Sequence, residues 1–99
     1  VKRLRLRGEA RTELLHEVAY YEGKQAGLGG RFKRAVNATF ELLRRFPEAG
    51  APGPAGTKRF KVRGFPFTVV YRSEPDGLIV FAIAPDRRQP GYWLDRIPP

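Results

Sequence analysis

FPFTVVYRSEPDGLIVFAIA, residues 65–84, decides the fold. Its first part alternates, placing Phe65, Phe67, Val69 and Tyr71 on one face of an extended chain whose side chains point to opposite sides at each step. Its last part, LIVFAIA at 78–84, is apolar at every position. Such a strand is covered on both faces, with Leu78, Val80, Ala82 and Ala84 on one side and Ile79, Phe81 and Ile83 on the other. SEPDG between the two runs carries turn chemistry, so together they read as an antiparallel hairpin. TKRFKVR at 57–63 adds a strand upstream, its Phe60 and Val62 set against Lys61 and Arg63, the pattern of a charged edge strand with one wet face.

Working outward, the period changes. Ala10, Leu14, Val18 and Tyr21 recur at steps of four and three, which predicts a helix from Glu9 to about Gly23, with Glu13 and Glu17 off its apolar stripe. GKQAGLGG at 23–30 is too glycine-rich to continue it cheaply and reads as the turn of a helical hairpin. Phe32, Val36, Phe40 and Leu43 then mark a second helix, ended by Pro47, with Arg44 and Arg45 suited to the dipole of its last turn. PEAGAPGPAG at 47–56 has no periodicity and reads as a loop. At the N-terminus, Val1, Leu4 and Leu6 among Lys2, Arg3 and Arg5 make a short, imperfect strand pattern. The expected class is α+β: an N-terminal strand, a helical hairpin and a three-stranded antiparallel meander forming a small curved sheet, in a single domain spanning residues 1–99.

The balance of 19 Lys plus Arg against 10 Asp plus Glu gives a formal charge of +9, a field that attracts polyanions and acidic protein segments. Fourteen of the 19 are Arg, which favours forked contacts to carboxylates or phosphates. The absence of cysteine excludes disulfide frameworks and thiolate metal sites and suits the reducing cytosol, so a cytoplasmic location without a membrane span is expected. No metal-spaced His or Cys group, Ser-His-Asp set or phosphate-binding glycine fingerprint occurs, and no cofactor or metal is expected. His16, the sole histidine, sits mid-helix without companions and reads as surface.

Five strings in order, EVAYYE at 17–22, AGLGGRF at 26–32, RRFPEAG at 44–50, GFPFTVVYR at 64–72 and RRQPGYW at 87–93, resemble the RelE/ParE superfamily of toxins from bacterial type II toxin-antitoxin systems, and most of all its ParE and plasmid-stabilisation branch. The resemblance implies a toxin neutralised by a small cognate antitoxin in a hetero-oligomer, acting by binding DNA gyrase and stalling replication. It also leaves open the RelE-like alternative, a metal-independent, ribosome-dependent mRNA endonuclease, in which Lys61, Arg63, Arg72, Arg87 and Tyr92 would form the catalytic set. Relatives often carry His just before the arginine pair, whereas this chain has Pro85, which supplies no proton donor. A third alternative is a non-toxic basic module that binds nucleic acid.

For the binding reading, the candidate target contacts are Arg87, Arg88, Tyr92 and Trp93, since arginine and large aromatics dominate interaction hot spots. A rival arrangement folds Trp93 back over the hairpin to close the core and pairs Arg88 with Asp86 or Asp95. The antitoxin is expected to lay an acidic, amphipathic segment across the helical hairpin and sheet, with Leu14, Val18, Tyr21, Phe32 and Val36 as its contacts.

Overall fold

The structure, a computed structural model, describes residues 1–98 of the chain. The order of elements is β1 (Leu4–Leu6), α1 (Gly8–Lys24), α2 (Leu28–Arg45), β2 (Ala51–Pro52), β3 (Lys58–Lys61), β4 (Phe67–Glu74) and β5 (Gly77–Pro85), with short 3-10 turns at Pro54–Gly56 and Leu94–Arg96. They form a five-stranded mixed sheet in the order β1-β5-β4-β3-β2, with the helical hairpin on one face. The expected class holds. The meander β3-β4-β5 is antiparallel, and the N-terminal strand joins it beyond β5 in parallel, pairing Leu4 with Leu78 and Leu6 with Val80. That places the all-apolar strand inside the sheet, as its composition requires.

Three details differ from expectation. First, the Pro/Gly loop contributes β2, which pairs Ala51 with Arg59 and Pro52 with Lys58, so β3 is flanked and not an edge. Tyr71 holds that loop in place: its hydroxyl accepts the Gly50 N–H at 3.0 Å and donates to the Pro47 carbonyl at 2.8 Å.

Second, the helical turn is shorter than the glycine content suggests, and α2 begins at Leu28. The reason is Glu22, whose carboxylate accepts the N–H groups of Gly27 at 2.9 Å and Gly29 at 3.0 Å, satisfying donors that a helix start leaves orphaned. Gly29 serves close approach: a Cβ there would lie 2.5 Å from the Val18 carbonyl oxygen of α1.

Third, strict alternation fails in β5. Val70 pairs with Ala82 but Tyr71 with Val80, so Phe81 has no partner on β4 and forms a bulge. The extra residue reverses the facing of everything after it. Leu78, Val80 and Ile83 join the core under the helices, whereas Ala82 and Ala84 turn to the opposite face.

Under the helices lie Ala10, Phe32, Val36, Phe40 and Leu43 against Val62, Phe67, Val69 and Tyr71, with Leu4, Leu6, Leu14, Val18 and Tyr21 partly buried around them. The rings of Tyr21, Phe32, Phe65 and Phe67 cluster, with Phe32 and Phe67 4.9 Å and Phe32 and Phe65 5.1 Å apart. Such ring pairs contribute about 0.5–1.5 kcal/mol each beyond their buried area.

Candidate functional site

The second face of the sheet is smaller, more polar and covered by the C-terminal arm, residues 86–98. Arg88 N–H returns to the Pro85 carbonyl at 3.0 Å, and Gly91 turns the chain in the left-handed region at φ 81°, the Pro-Gly turn anticipated from the sequence. Trp93 is thereby brought down onto Val70, Ala82 and Ala84 and left only 5% exposed. It closes a core, though on the face opposite the helical hairpin, and its ring is occupied.

The arm is fastened by one carboxylate. Glu13, reaching across from α1, accepts the Tyr92 hydroxyl at 2.6 Å, two Arg96 N–H groups at 3.0 Å each, and the backbone N–H of Ile83 at 3.1 Å. Arg96 also donates to the Phe81 carbonyl at 2.9 Å, next to the bulge. The side chains of Glu13 and Arg96 are 16% and 14% exposed, so this pair is largely withdrawn from water. Burial and the bond to Glu13 push the Tyr92 phenol well above its usual range. Burial alone would lower the Arg96 guanidinium, but its hydrogen bonds to Glu13 outweigh that and raise it. Arg88 stands over the Tyr92 ring at 3.8 Å from its centroid and 4.0 Å from Glu13. Its partners are therefore not Asp86 or Asp95.

Nothing in the sequence marked Glu13 beyond its position off the apolar stripe, because its partners lie 70 to 83 residues away along the chain.

The cationic side chains proposed for catalysis do not converge. Lys61 is paired with Asp86, which also accepts the Thr68 hydroxyl at 3.0 Å. Arg72 is paired with Glu74 at 2.7 Å and lies against Phe81, 5.4 Å from its ring centroid. Tyr92 is committed to Glu13, and Arg63 lies past the end of β3 in an exposed turn. Instead Arg59, on the same face as Lys61 through its pairing with Val70, lines an open groove with Thr68, Asp86, Arg88, Tyr92 and Trp93. The period-two pattern of TKRFKVR carried that signal, since Arg59 and Lys61 alternate with Phe60.

Of the target-contact candidates, Arg87 and Arg88 are exposed, Tyr92 is half-buried and Trp93 is buried. Arg87 borders a second groove with Tyr20, Tyr21, Pro66, Phe67 and Pro85. Of the antitoxin-contact candidates, Leu14, Val18 and Tyr21 keep partial exposure, but Phe32 and Val36 are 0% exposed beneath the sheet. Those two residues are core, not surface: the stripe that makes α2 amphipathic is consumed by the sheet. The exposed apolar side chains of the hairpin are Leu15, Tyr20 and Leu42. His16 is exposed and 3.4 Å from Glu17. Among the described residues no group of three or more His, Cys, Asp or Glu side chains could hold a metal ion, and no helix is long and apolar enough to cross a membrane.

A comparison with functionally curated proteins returns no match. Among solved structures, a chain of the chromosomal ParDE toxin-antitoxin system from P. aeruginosa shares the fold with a TM-score of 0.63 at 16% identity, covering 85% of this chain and 95% of that one. The family described as ParE toxin of type II toxin-antitoxin system, parDE, matches residues 4–90. With nearly its whole length matched, the chain belongs to the ParE toxin family, whose members are paired with an antitoxin.

Proposed function

We propose that this ParE-type toxin acts by binding, with DNA gyrase as its target and arrest of replication as the result. The observation that carries this reading is how charge is distributed on the arm-covered face. Two of the cations that the endonuclease reading needs are held by carboxylates of the same chain, Lys61 by Asp86 and Arg72 by Glu74. The one phenol near them is also held in its protonated form. A proton acceptor working near neutral pH is not among these groups. Arg87 has no carboxylate partner among the described residues, and Arg88, though 4.0 Å from Glu13, keeps its side chain 55% exposed; each borders a groove, an arrangement that suits a grip on a macromolecule.

The antitoxin, in this reading, lays an acidic amphipathic segment along α1 where Leu14, Val18 and Tyr21 keep partial exposure beside the core. Opposite charge accelerates the encounter with a toxin of net charge +9.

Purified toxin mixed with gyrase and relaxed plasmid should block supercoiling or trap a cleaved complex, and equimolar antitoxin should relieve the effect. Unaltered supercoiling at concentrations that stop growth, together with mRNA cut inside codons by primer extension, would replace this reading with the endonuclease.

A further inference from the structure

We infer that Glu13 is the positioning residue of the proposed target-binding surface: its carboxylate docks the C-terminal arm on the sheet and thereby sets where Arg88 is presented. The inference rests on the binding reading above but is tested apart from it.

Glu13 joins α1 to both β5 and the arm. It receives the Ile83 N–H from β5, the Tyr92 hydroxyl from the middle of the arm and the Arg96 fork from its end. Among the described residues, the arm's apolar contact is Trp93, with Tyr92 and Ile97, over Val70, Ala82 and Ala84. Apolar contact is non-directional, so the polar clasp is what fixes where on the sheet the arm sits. Arg96, when Glu13 is absent, becomes a largely buried cation whose remaining partner is the Phe81 carbonyl. That state is unfavourable, and it is relieved by lifting the arm into water.

The bulge belongs to the same device. Phe81, the unmatched residue of β5, turns its carbonyl to Arg96, and two residues on Ile83 turns its N–H to Glu13. An unbulged strand would offer Arg96 and Glu13 a different pair of backbone groups. Arg88, stacked on Tyr92, takes its orientation from the ring that Glu13 fixes.

Trp93 is the sole tryptophan, so its fluorescence reports docking of the arm without a label and without any target. Glu13→Gln keeps an acceptor oxygen but loses the charge, and Glu13→Ala loses both. Acrylamide quenching of Trp93 should rise in the order wild type, Glu13→Gln, Glu13→Ala, while circular dichroism shows the helical hairpin retained. Growth arrest on induction should weaken in the same order, with about a tenfold or greater rise in the inducer needed for the alanine variant, as expected when a buried ionic partner is removed. Arg96→Gln attacks the same clasp from the arm side, should give the same two changes, and should be non-additive with Glu13→Gln.

Trp93 equally shielded in all variants would overturn the clasp. Trp93 freed with growth arrest unchanged would overturn the positioning role. Because both readouts omit gyrase, a wild type that arrests growth without touching supercoiling sinks the gyrase reading and leaves this test intact.

Discussion

The two faces of the sheet are closed by different physics. Beneath the helical hairpin the cover is apolar and redundant: Phe32, Val36 and Leu43 reach 0% exposure, and four aromatic rings share the contact. Beneath the arm the cover is one tryptophan over small side chains, fastened by a single carboxylate. Apolar packing is non-directional and tolerates small adjustments, whereas a polar clasp depends on every partner being present. The first face is therefore the scaffold and the second the face that can be tuned or lifted at modest cost.

The largest expected effect tests that division directly. Phe32→Ala removes a fully buried ring from the hairpin core and should cost about 3–5 kcal/mol, a large part of the ~5–15 kcal/mol that holds a domain of this kind together. Trp93→Ala removes a larger ring but from the thinner layer, where the arm can move away instead of enclosing a cavity, and should cost about 1.5–3 kcal/mol. Urea unfolding followed by circular dichroism measures both. Equal losses would mean that the arm is as much a part of the cooperative core as α2.

Gly29→Ala sharpens the scaffold side of the comparison. The new Cβ would meet the Val18 carbonyl oxygen at 2.5 Å, backbone against side chain, so the helices must separate, at a cost of about 1–3 kcal/mol. The loss should appear in the unfolding midpoint with no change in Trp93 quenching, since the arm is on the other face.

These residues also show where a sequence is legible. Repetition is readable: the stripe Phe32, Val36, Phe40, Leu43 returned a buried face position by position, and the all-apolar 78–84 run returned an inner strand. What was buried and what was available to a partner were not separable by pattern alone, which is why Phe32 and Val36 read as both. The bulge at Phe81 was invisible because an inserted residue leaves an apolar run apolar, yet it exchanges the faces of Ala82, Ile83 and Ala84. Glu13 was invisible for a different reason, since a lone carboxylate off the stripe acquires meaning only through groups brought to it by folding. Of the arm, the turn at Pro90-Gly91 was legible in composition, but the side on which Trp93 would come down was not.

A pH titration separates the faces again, at smaller amplitude. Tyr92 in the folded chain has its pKa raised by burial and by its bond to Glu13, above the value near 10 of an unperturbed phenol. With the folded value above the unfolded one, its contribution is fully present below about pH 10 and is lost as pH rises beyond that. Trp93 quenching should accordingly increase above about pH 10 in the wild type. Tyr92→Phe, which keeps the ring under Arg88, should remove that step. Tyr71 is raised in the same direction by burial, but its hydroxyl serves the β2 loop, so its titration should register in global unfolding and not in the arm.

The smallest effect on stability belongs to the two arginines proposed to meet the target. Arg87 is exposed, and no carboxylate pairs with it among the described residues, so Arg87→Ala should change stability by no more than about 0.5 kcal/mol. Arg88→Ala gives up its place over Tyr92, in a half-exposed setting where such a contact is weak, and should cost about 0.5–1 kcal/mol. Both variants should leave Trp93 shielded and the helical hairpin intact. If the arm-covered face is the one that meets the target, the double variant must nonetheless lose growth arrest and gyrase inhibition while still being captured by an antitoxin docked on α1. Retained toxicity in a double variant of unchanged stability would move the target contact from these two arginines to the aromatic side chains of the groove that Arg87 borders, where Tyr20→Ala is the next substitution to make.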